Sequence, residues 1–75
     1  MICSRFQAKA ALLMSGLLPQ VEAAIAHAGP LAQLAWTEAV EFRRNSPTIA
    51  MLADVLELAD DAVDELFRDA MQIEA

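Results

Sequence analysis

Apolar residues recur along this chain at helical spacing, and the residues between them are typical of helix ends. Ser4 followed by Gln7 has the form of a capping box, in which a hydroxyl and an amide each satisfy a backbone N–H group. Apolar residues then follow three or four positions apart, namely Phe6, Ala10, Leu13 and Leu17. Gly16 can adopt the left-handed backbone conformation that ends a helix. The pattern predicts a first helix over about residues 4–15.

Prolines mark the starts of the next helices, because the N–H that proline lacks is unpaired at a first helical position. Pro19 begins a second helix that ends at Gly29, and Pro30 begins a third. The inward positions of the second helix are Val21, Ala24, Ile25 and Ala28. The third carries a wide apolar stripe of Leu31, Leu34, Ala35, Trp36, Ala39, Val40 and Phe42. That width predicts the most buried helix of the set, with Arg43 and Arg44 in its last turn.

Ser46 and Pro47 read as the cap and first residue of a fourth helix, and Ala59 or Asp60 caps a fifth. The inward positions of these two helices are Ile49, Leu52, Ala53 and Leu56, then Val63, Leu66, Phe67 and Ala70. No stretch alternates with period two, so no sheet is expected. The predicted fold is all-α, a compact bundle of four to five short helices in one domain over 1–75.

A helix-turn-helix-like corner is predicted near residues 48–68. Five residues fall where such a unit places its small contact residue and its core residues: Ala53, Leu56, Leu58, Val63 and Leu66. Glu57 stands where DNA-binding versions usually carry glycine. The second helix would present acidic side chains to a phosphate backbone, which repels them. We therefore expect no nucleic-acid binding.

The composition predicts that the molecule has more apolar surface than its core can bury. The chain has 75 residues, of which 57% are hydrophobic, and a net charge of -6. A core this small has little capacity, and alanine buries little area. We expect a homo-oligomer, or docking onto a larger protein. The acidic balance, with a pI of about 4.4, also opposes binding to anionic membrane surfaces.

Nothing in the sequence indicates a reaction or a cofactor. Cys3 and His27 are too few for a structural zinc site, which needs four ligands, and no nucleophile elbow or phosphate loop is present. No apolar run reaches the roughly 20 residues of a membrane span. The start of the chain lacks a signal-peptide pattern, which with a lone thiol favours a reducing cytoplasm. We expect a non-enzymatic protein without metal or cofactor.

The candidate partner-binding residues are aromatic, basic and acidic: Trp36, Arg43, Arg44, Asp60, Asp61 and Asp64. Aromatic residues and arginine dominate binding hot spots, although the pattern favours Trp36 as a core residue over an interface anchor. One of the two arginines can pair with Glu38 or Glu41 while the other faces out, and Arg44 is the first candidate contact. The aspartates suit a solvated first helical turn better than a cation loop, which needs a glycine.

The order of segments resembles a family of short helical proteins of tailed phages and prophages, encoded among tail-fibre and tail-tip genes. The segments are ALLMSGLLPQVEAAI, LAWTEAVEFRRNSPTIAMLADVLEL and DDAVDELFRDA, with Phe42–Pro47 and Leu66–Phe67 as the most recognisable points. Family members often carry a glycine near residues 57–59, where this chain has Glu57 and Ala59. The resemblance implies a virion or tail-assembly context and brings no catalytic residues.

Two functions follow as expectations. The first is a tail-associated structural or assembly protein that binds a tail-fibre or tail-tip protein, in the host cytoplasm or the virion. The second is a small acidic inhibitor of a host protein, such as a defence complex or a regulator, that mimics nucleic-acid charge. Eight acidic residues from Asp54 onward motivate the second function.

Overall fold

The computed structural model describes residues 1–74 as a mostly helical globule with one small sheet. A strand, β1 (Ile2–Ser4), leads into three helices, α1 (Arg5–Ser15), α2 (Leu18–Ala28) and α3 (Pro30–Glu38). A second strand, β2 (Glu41–Arg43), follows, and then α4 (Pro47–Val55) and α5 (Asp60–Met71). The mostly helical character is confirmed, whereas the prediction of a purely helical bundle is wrong.

Helix starts lie at the predicted caps. Ser4 Oγ accepts a hydrogen bond from the Gln7 backbone N–H at 3.1 Å, and the Ser4 N–H donates to Gln7 Oε1 at 2.9 Å. This is the reciprocal capping box that the sequence predicts. Ser46 Oγ accepts from the Ile49 N–H at 3.3 Å, with Pro47 as the first helical residue. The capping predictions for α1 and α4 are confirmed.

Helices α1 and α4 end in the same hydrogen-bond pattern with different residues at its left-handed position. After α1, Gly16 has φ 80°, and the Leu17 N–H donates to Leu12 O at 2.9 Å. After α4, Glu57 has φ 56°, and the Leu58 N–H donates to Ala53 O at 2.9 Å. Both are Schellman motifs, in which glycine is the usual left-handed residue.

A two-stranded antiparallel ribbon joins the two ends of the first half of the chain. Cys3 pairs with Phe42, and both side chains point into the core. The Arg44 N–H donates to Met1 O at 2.9 Å, and the Arg5 N–H donates to Val40 O at 3.0 Å. The ribbon therefore contradicts the expectation of no sheet. Its strands are so short that each contributes one buried residue.

The third helix is shorter than predicted. It ends at Glu38, and Ala39 adopts extended geometry with φ -64° and ψ 131°. Arg43 and Arg44 consequently lie in β2 and the turn after it rather than in a last helical turn. Leaving the helix here lets Phe42 enter the core from the ribbon and stack against Trp36. Phe42 is buried, as predicted, but by a different element.

The core collects small and aromatic side chains from every element. Its buried members are Cys3, Ala11, Val21, Ala24, Ile25, Trp36, Phe42, Leu52, Val63, Phe67 and Ala70. Helix α5 packs against α1 and β1, and α2 packs against α1, α3 and α4. The inward faces predicted for α4 and α5 are confirmed, and in α2 only Ala28 departs from its predicted face, since it is exposed.

Helices α1 and α3 are oriented differently from the prediction. In α1 the core side is formed by Ala8, Ala11 and Leu12, while Phe6 and Leu13 are exposed. In α3 only Trp36 is buried, so this helix is not the most buried of the set. Its Leu31 and Leu34 are exposed, as is Val40 beyond its end.

Candidate functional site

Three of the candidate partner-binding residues bind one another. Arg44 Nε donates to Asp64 Oδ1 at 2.7 Å, and Arg44 Nη2 donates to Asp60 Oδ1 at 3.3 Å. The contact ties the turn after β2 to the first turns of α5. Asp60 is almost fully exposed, whereas the Arg44 and Asp64 side chains are only 23% and 32% exposed. Arg44 is thus committed within the molecule, contrary to its expected role as an outward contact.

The electrostatics of this cluster favour the charged guanidinium. The hydrogen bond to Asp64 raises the pKa of Arg44 above its ordinary value, and the charges of Asp64 and Asp60 act in the same direction. Arg44 is therefore positively charged at any physiological pH. The cluster neutralises part of the acidic surface of α5 rather than presenting it to a partner.

Arg43 is the arginine that faces solvent. Its side chain is 66% exposed, and its Nε lies 3.6 Å from Glu41 Oε2, at the other end of β2. The sequence left open which arginine would pair with Glu38 or Glu41, and the structure pairs Arg43 with Glu41. An exposed ion pair of this length contributes little to stability. Arg43 is free to turn toward a partner at small cost.

Trp36 belongs to the core. It is 4% exposed, and its ring centroid lies 5.2 Å from that of Phe42 with the planes tilted by 32°. Lys9 Nζ lies 5.3 Å from the Trp36 ring centroid, within cation–π range. The indole Nε1 is buried without a hydrogen-bond partner among the described residues. Trp36 is therefore not part of the accessible surface.

The carboxylates of α5 are spread around its solvent side. Asp61 is exposed and forms no ion pair within residues 1–74. Glu65 accepts a hydrogen bond from Arg68 at 3.1 Å, one turn further along. Asp60 and Asp61 lie in the first helical turn, where the helix dipole stabilises negative charge. Of the three aspartates proposed for partner binding, Asp61 alone has no cation bound to it in the part of the chain described.

The interior contains an apolar cavity of about 70 Å³. It is lined by core residues from β1, β2 and all five helices, including Cys3, Trp36, Leu52 and Phe67. The residues placed at the helix-turn-helix-like corner (Ala53, Leu56, Leu58, Val63 and Leu66) all line it. Among the described residues that line this cavity, the only titratable side chain is the thiol of Cys3.

Residues that sequence reasoning singled out for chemistry lie apart from one another. Cys3 is buried in β1, and burial raises the pKa of its thiol. His27 is exposed in the last turn of α2. Within residues 1–74, no three His, Cys, Asp or Glu side chains come close enough to share a metal ion. Among the helices described, none combines the length and apolar character needed to cross a membrane.

An exposed apolar surface lies on α1, where the sequence pattern does not predict one. We call it the α1 outer face, and it consists of Phe6, Ala10, Leu13 and Met14. Phe6 is 53% exposed, Leu13 66% and Met14 77%. At about 100° per residue these side chains lie opposite the core-facing side of α1. The sequence pattern predicts Phe6, Ala10 and Leu13 on the core side of α1, and this prediction is wrong because Phe6 and Leu13 are exposed.

A groove of about 470 Å³ runs along one side of this face. It lies between α1 and α5 and is lined by Ala11, Met14, Ser15, Asp69, Gln72 and Ile73. A second, smaller apolar surface lies on α3, where Leu31 is 80% and Leu34 57% exposed. We call these two leucines the α3 outer face. Exposed apolar side chains that are grouped on one helix face are typical of binding surfaces.

No protein-family model, curated protein or solved structure matches this chain.

Proposed function

We propose that this chain is a non-catalytic protein-binding module that docks through the α1 outer face. The proposal depends on one observation, that α1 carries apolar side chains on two opposite sides. One side packs into the core through Ala11 and Leu12, and the other exposes Phe6 and Leu13. A surface helix of a small domain is normally apolar only on the side that faces the core, so a second apolar side indicates a second contact. We propose that a protein surface covers the exposed side of α1.

The energy available from covering this face is large for a chain of this size. Burying a fully exposed large apolar side chain contributes about 1.5–3 kcal/mol, and Phe6, Leu13 and Met14, each more than half exposed, can together support a specific complex. Part of that gain is lost to the entropy of association. Leu31 and Leu34 on the α3 outer face offer a second contact to a larger partner.

Assembly of a phage tail is the biological setting that we propose. It is supported by the resemblance of the helix breaks and core positions to short phage and prophage proteins encoded near tail genes. In that setting the chain, alone or as a homo-oligomer, binds a tail-fibre or tail-tip protein and acts in the host cytoplasm or within the virion. Mass spectrometry of purified virions would separate a structural component from an assembly factor.

The alternative, an acidic inhibitor that mimics nucleic acid, has weaker support. Two of the aspartates that motivate it, Asp60 and Asp64, already bind Arg44. Reversing them to lysine would break this cluster as well as any contact with a host protein, so such variants could not separate the two functions. Asp61→Lys is the informative variant, because Asp61 is exposed and unpaired among residues 1–74.

DNA binding through the helix-turn-helix-like corner is also a poor fit. The α5 helix, which would enter a groove, begins with Asp60 and Asp61 and presents further carboxylates along its solvent side. Phosphate contacts supply most of the non-specific affinity for DNA and require cations. The corner is better interpreted as a structural element that closes the core.

Site-specific photocrosslinking in the producing cells tests the proposed function. A benzophenone-bearing residue is placed at position 13 on the α1 outer face, and in a matched control at position 22, where Glu22 is exposed on α2. We expect position 13 to give one dominant adduct of defined mass and position 22 to give none. Failure of position 13 to form an adduct with any protein would remove the proposal.

A further inference from the structure

One edge of the α1 outer face carries cations and faces α3. Arg5 donates a hydrogen bond through Nη1 to the backbone oxygen of Thr37, near the end of α3. Lys9, one turn later, lies over the ring of Trp36. Lys9 forms no ion pair within residues 1–74. This edge of the apolar face therefore carries two cations that have no ion-pair partner among residues 1–74.

The opposite edge carries an anion and faces α5. Gln7 Nε2 donates to Ile73 O at 2.9 Å, which places the first half of α1 beside the residues that follow α5. Asp69 lies across the groove from Met14, is exposed, and is also without an ion-pair partner in the described residues. Lys9 and Asp69 thus lie on the two opposite edges of one apolar surface, and Lys9 precedes Met14 by about 7.5 Å along α1.

We infer that the partner of the α1 outer face is a second copy of this chain. The two α1 helices pack side by side and parallel, about a two-fold axis that runs along them. Rotation about this axis exchanges the two edges, so the edge of each copy that carries Lys9 lies against the edge of the other copy that carries Asp69. This inference rests on the proposed function and deepens it by naming the partner.

Charge complementarity distinguishes this arrangement from the antiparallel one. With antiparallel helices and a perpendicular axis, each edge meets its own equivalent, and Lys9 would not reach Asp69. The net charge of -6 on each copy opposes dimerisation. That repulsion is screened over about 8 Å at physiological ionic strength, while the apolar contact is not. The dimer is therefore expected at physiological salt rather than in dilute buffer.

Sedimentation equilibrium of two charge variants, separately and mixed, tests the inference. Lys9→Glu places two acidic contacts in its own dimer, and Asp69→Lys places two basic ones. Each variant alone is expected to dimerise at least about tenfold more weakly than the unaltered chain. An equimolar mixture restores both attractive contacts, so it is expected to dimerise like the unaltered chain. Circular dichroism checks that both variants keep their helical content.

Leu31→Glu on the α3 outer face is the matched control and should leave dimerisation unchanged, whereas Leu13→Glu should abolish it. An unaltered chain that stays at 8.1 kDa at all concentrations would overturn the inference, as would a mixture no heavier than its components. A monomer whose position 13 crosslinks to a different protein would leave the proposed function standing. A monomer without any adduct would remove both.

Discussion

Cys3 is the single thiol of the chain, and its burial makes stability depend on pH. Desolvation raises the pKa of Cys3 above its ordinary value of 9.0 in the folded state. Below that pH the thiol is protonated in both states, so stability does not change. Above it the unfolded chain loses its proton first, which favours unfolding by at most about 1.4 kcal/mol per pH unit.

We therefore expect the urea midpoint to fall as the pH rises above 9.0. The Cys3→Ala variant is the control, because it keeps the other titrating groups and lacks the thiol. Its midpoint should fall less steeply over the same pH range, although the smaller side chain lowers its stability at every pH. Parallel curves for the two proteins would show that the thiol is not desolvated.

The roles of the two adjacent arginines could not be predicted from the sequence. Arg44 reaches Asp60 and Asp64 only because the ribbon and the turn after β2 bring it to the start of α5. In the predicted helix, the same residue would have pointed elsewhere. Tertiary geometry decides which of two neighbouring arginines pairs with a carboxylate. The distance between an arginine and a carboxylate far along the chain cannot be derived from the sequence alone.

Among the elements, the turn between α4 and α5 carries a residue in an unfavourable conformation. Glu57 occupies the left-handed position of a Schellman motif that Gly16 occupies after α1. A side chain with a Cβ is strained in this region, whereas glycine is not. We expect Glu57→Gly to stabilise the fold by about 0.5–1 kcal/mol, after its larger unfolded-state entropy is included.

Thermal or urea unfolding measures this effect. Glu57→Ala is the matched control, since it removes the same charge and keeps the Cβ, and it should give no comparable gain. Equal stabilisation by glycine and alanine would mean that the carboxylate, not the backbone angle, destabilises the turn.

Helix boundaries were predictable where a local rule sets them. The capping residues Ser4 and Ser46 and the breaks at Gly16 and Gly29 act within a few positions of the chain. The ribbon was not predictable, because three residues per strand carry too little alternation to be recognised. Cys3 and Phe42 pair across nearly forty positions of sequence, and helical propensity near Ala39 yields to that contact.

The orientation of α1 shows where a periodic pattern becomes ambiguous. Apolar residues occupy both sides of this helix, so periodicity identifies two stripes and does not choose between them. The side of α1 that faces the core is the one with Ala8 and Ala11, since small side chains let α5 approach closely. Helix α5, with acidic residues on one side, was assigned correctly because only one of its faces is apolar.

At the scale of the whole molecule, two neighbouring leucines of α1 distinguish the core from the docking surface, because Leu12 belongs to the first and Leu13 to the second. Leu12 packs against the core and lines its cavity, whereas Leu13 is 66% exposed. We expect Leu12→Glu to cost about 2–4 kcal/mol of folding stability, because it places a charge against apolar side chains. Leu13→Glu should change the stability of the isolated chain by no more than about 0.5 kcal/mol.

Urea unfolding at low protein concentration makes the comparison, since dilution removes any contribution from association. The reverse order of effects, with Leu13→Glu the more damaging, would mean that α1 presents its other side to the core. The α1 outer face would then not exist as a surface.

The most direct test of the docking surface is the mass of the native particle, measured by light scattering after gentle isolation from the producing cells. If α1 is covered by protein in its working state, the particle is heavier than 8.1 kDa, and Leu13→Glu shifts it toward that value. A soluble, folded particle of 8.1 kDa with its α1 outer face open to water would contradict the account.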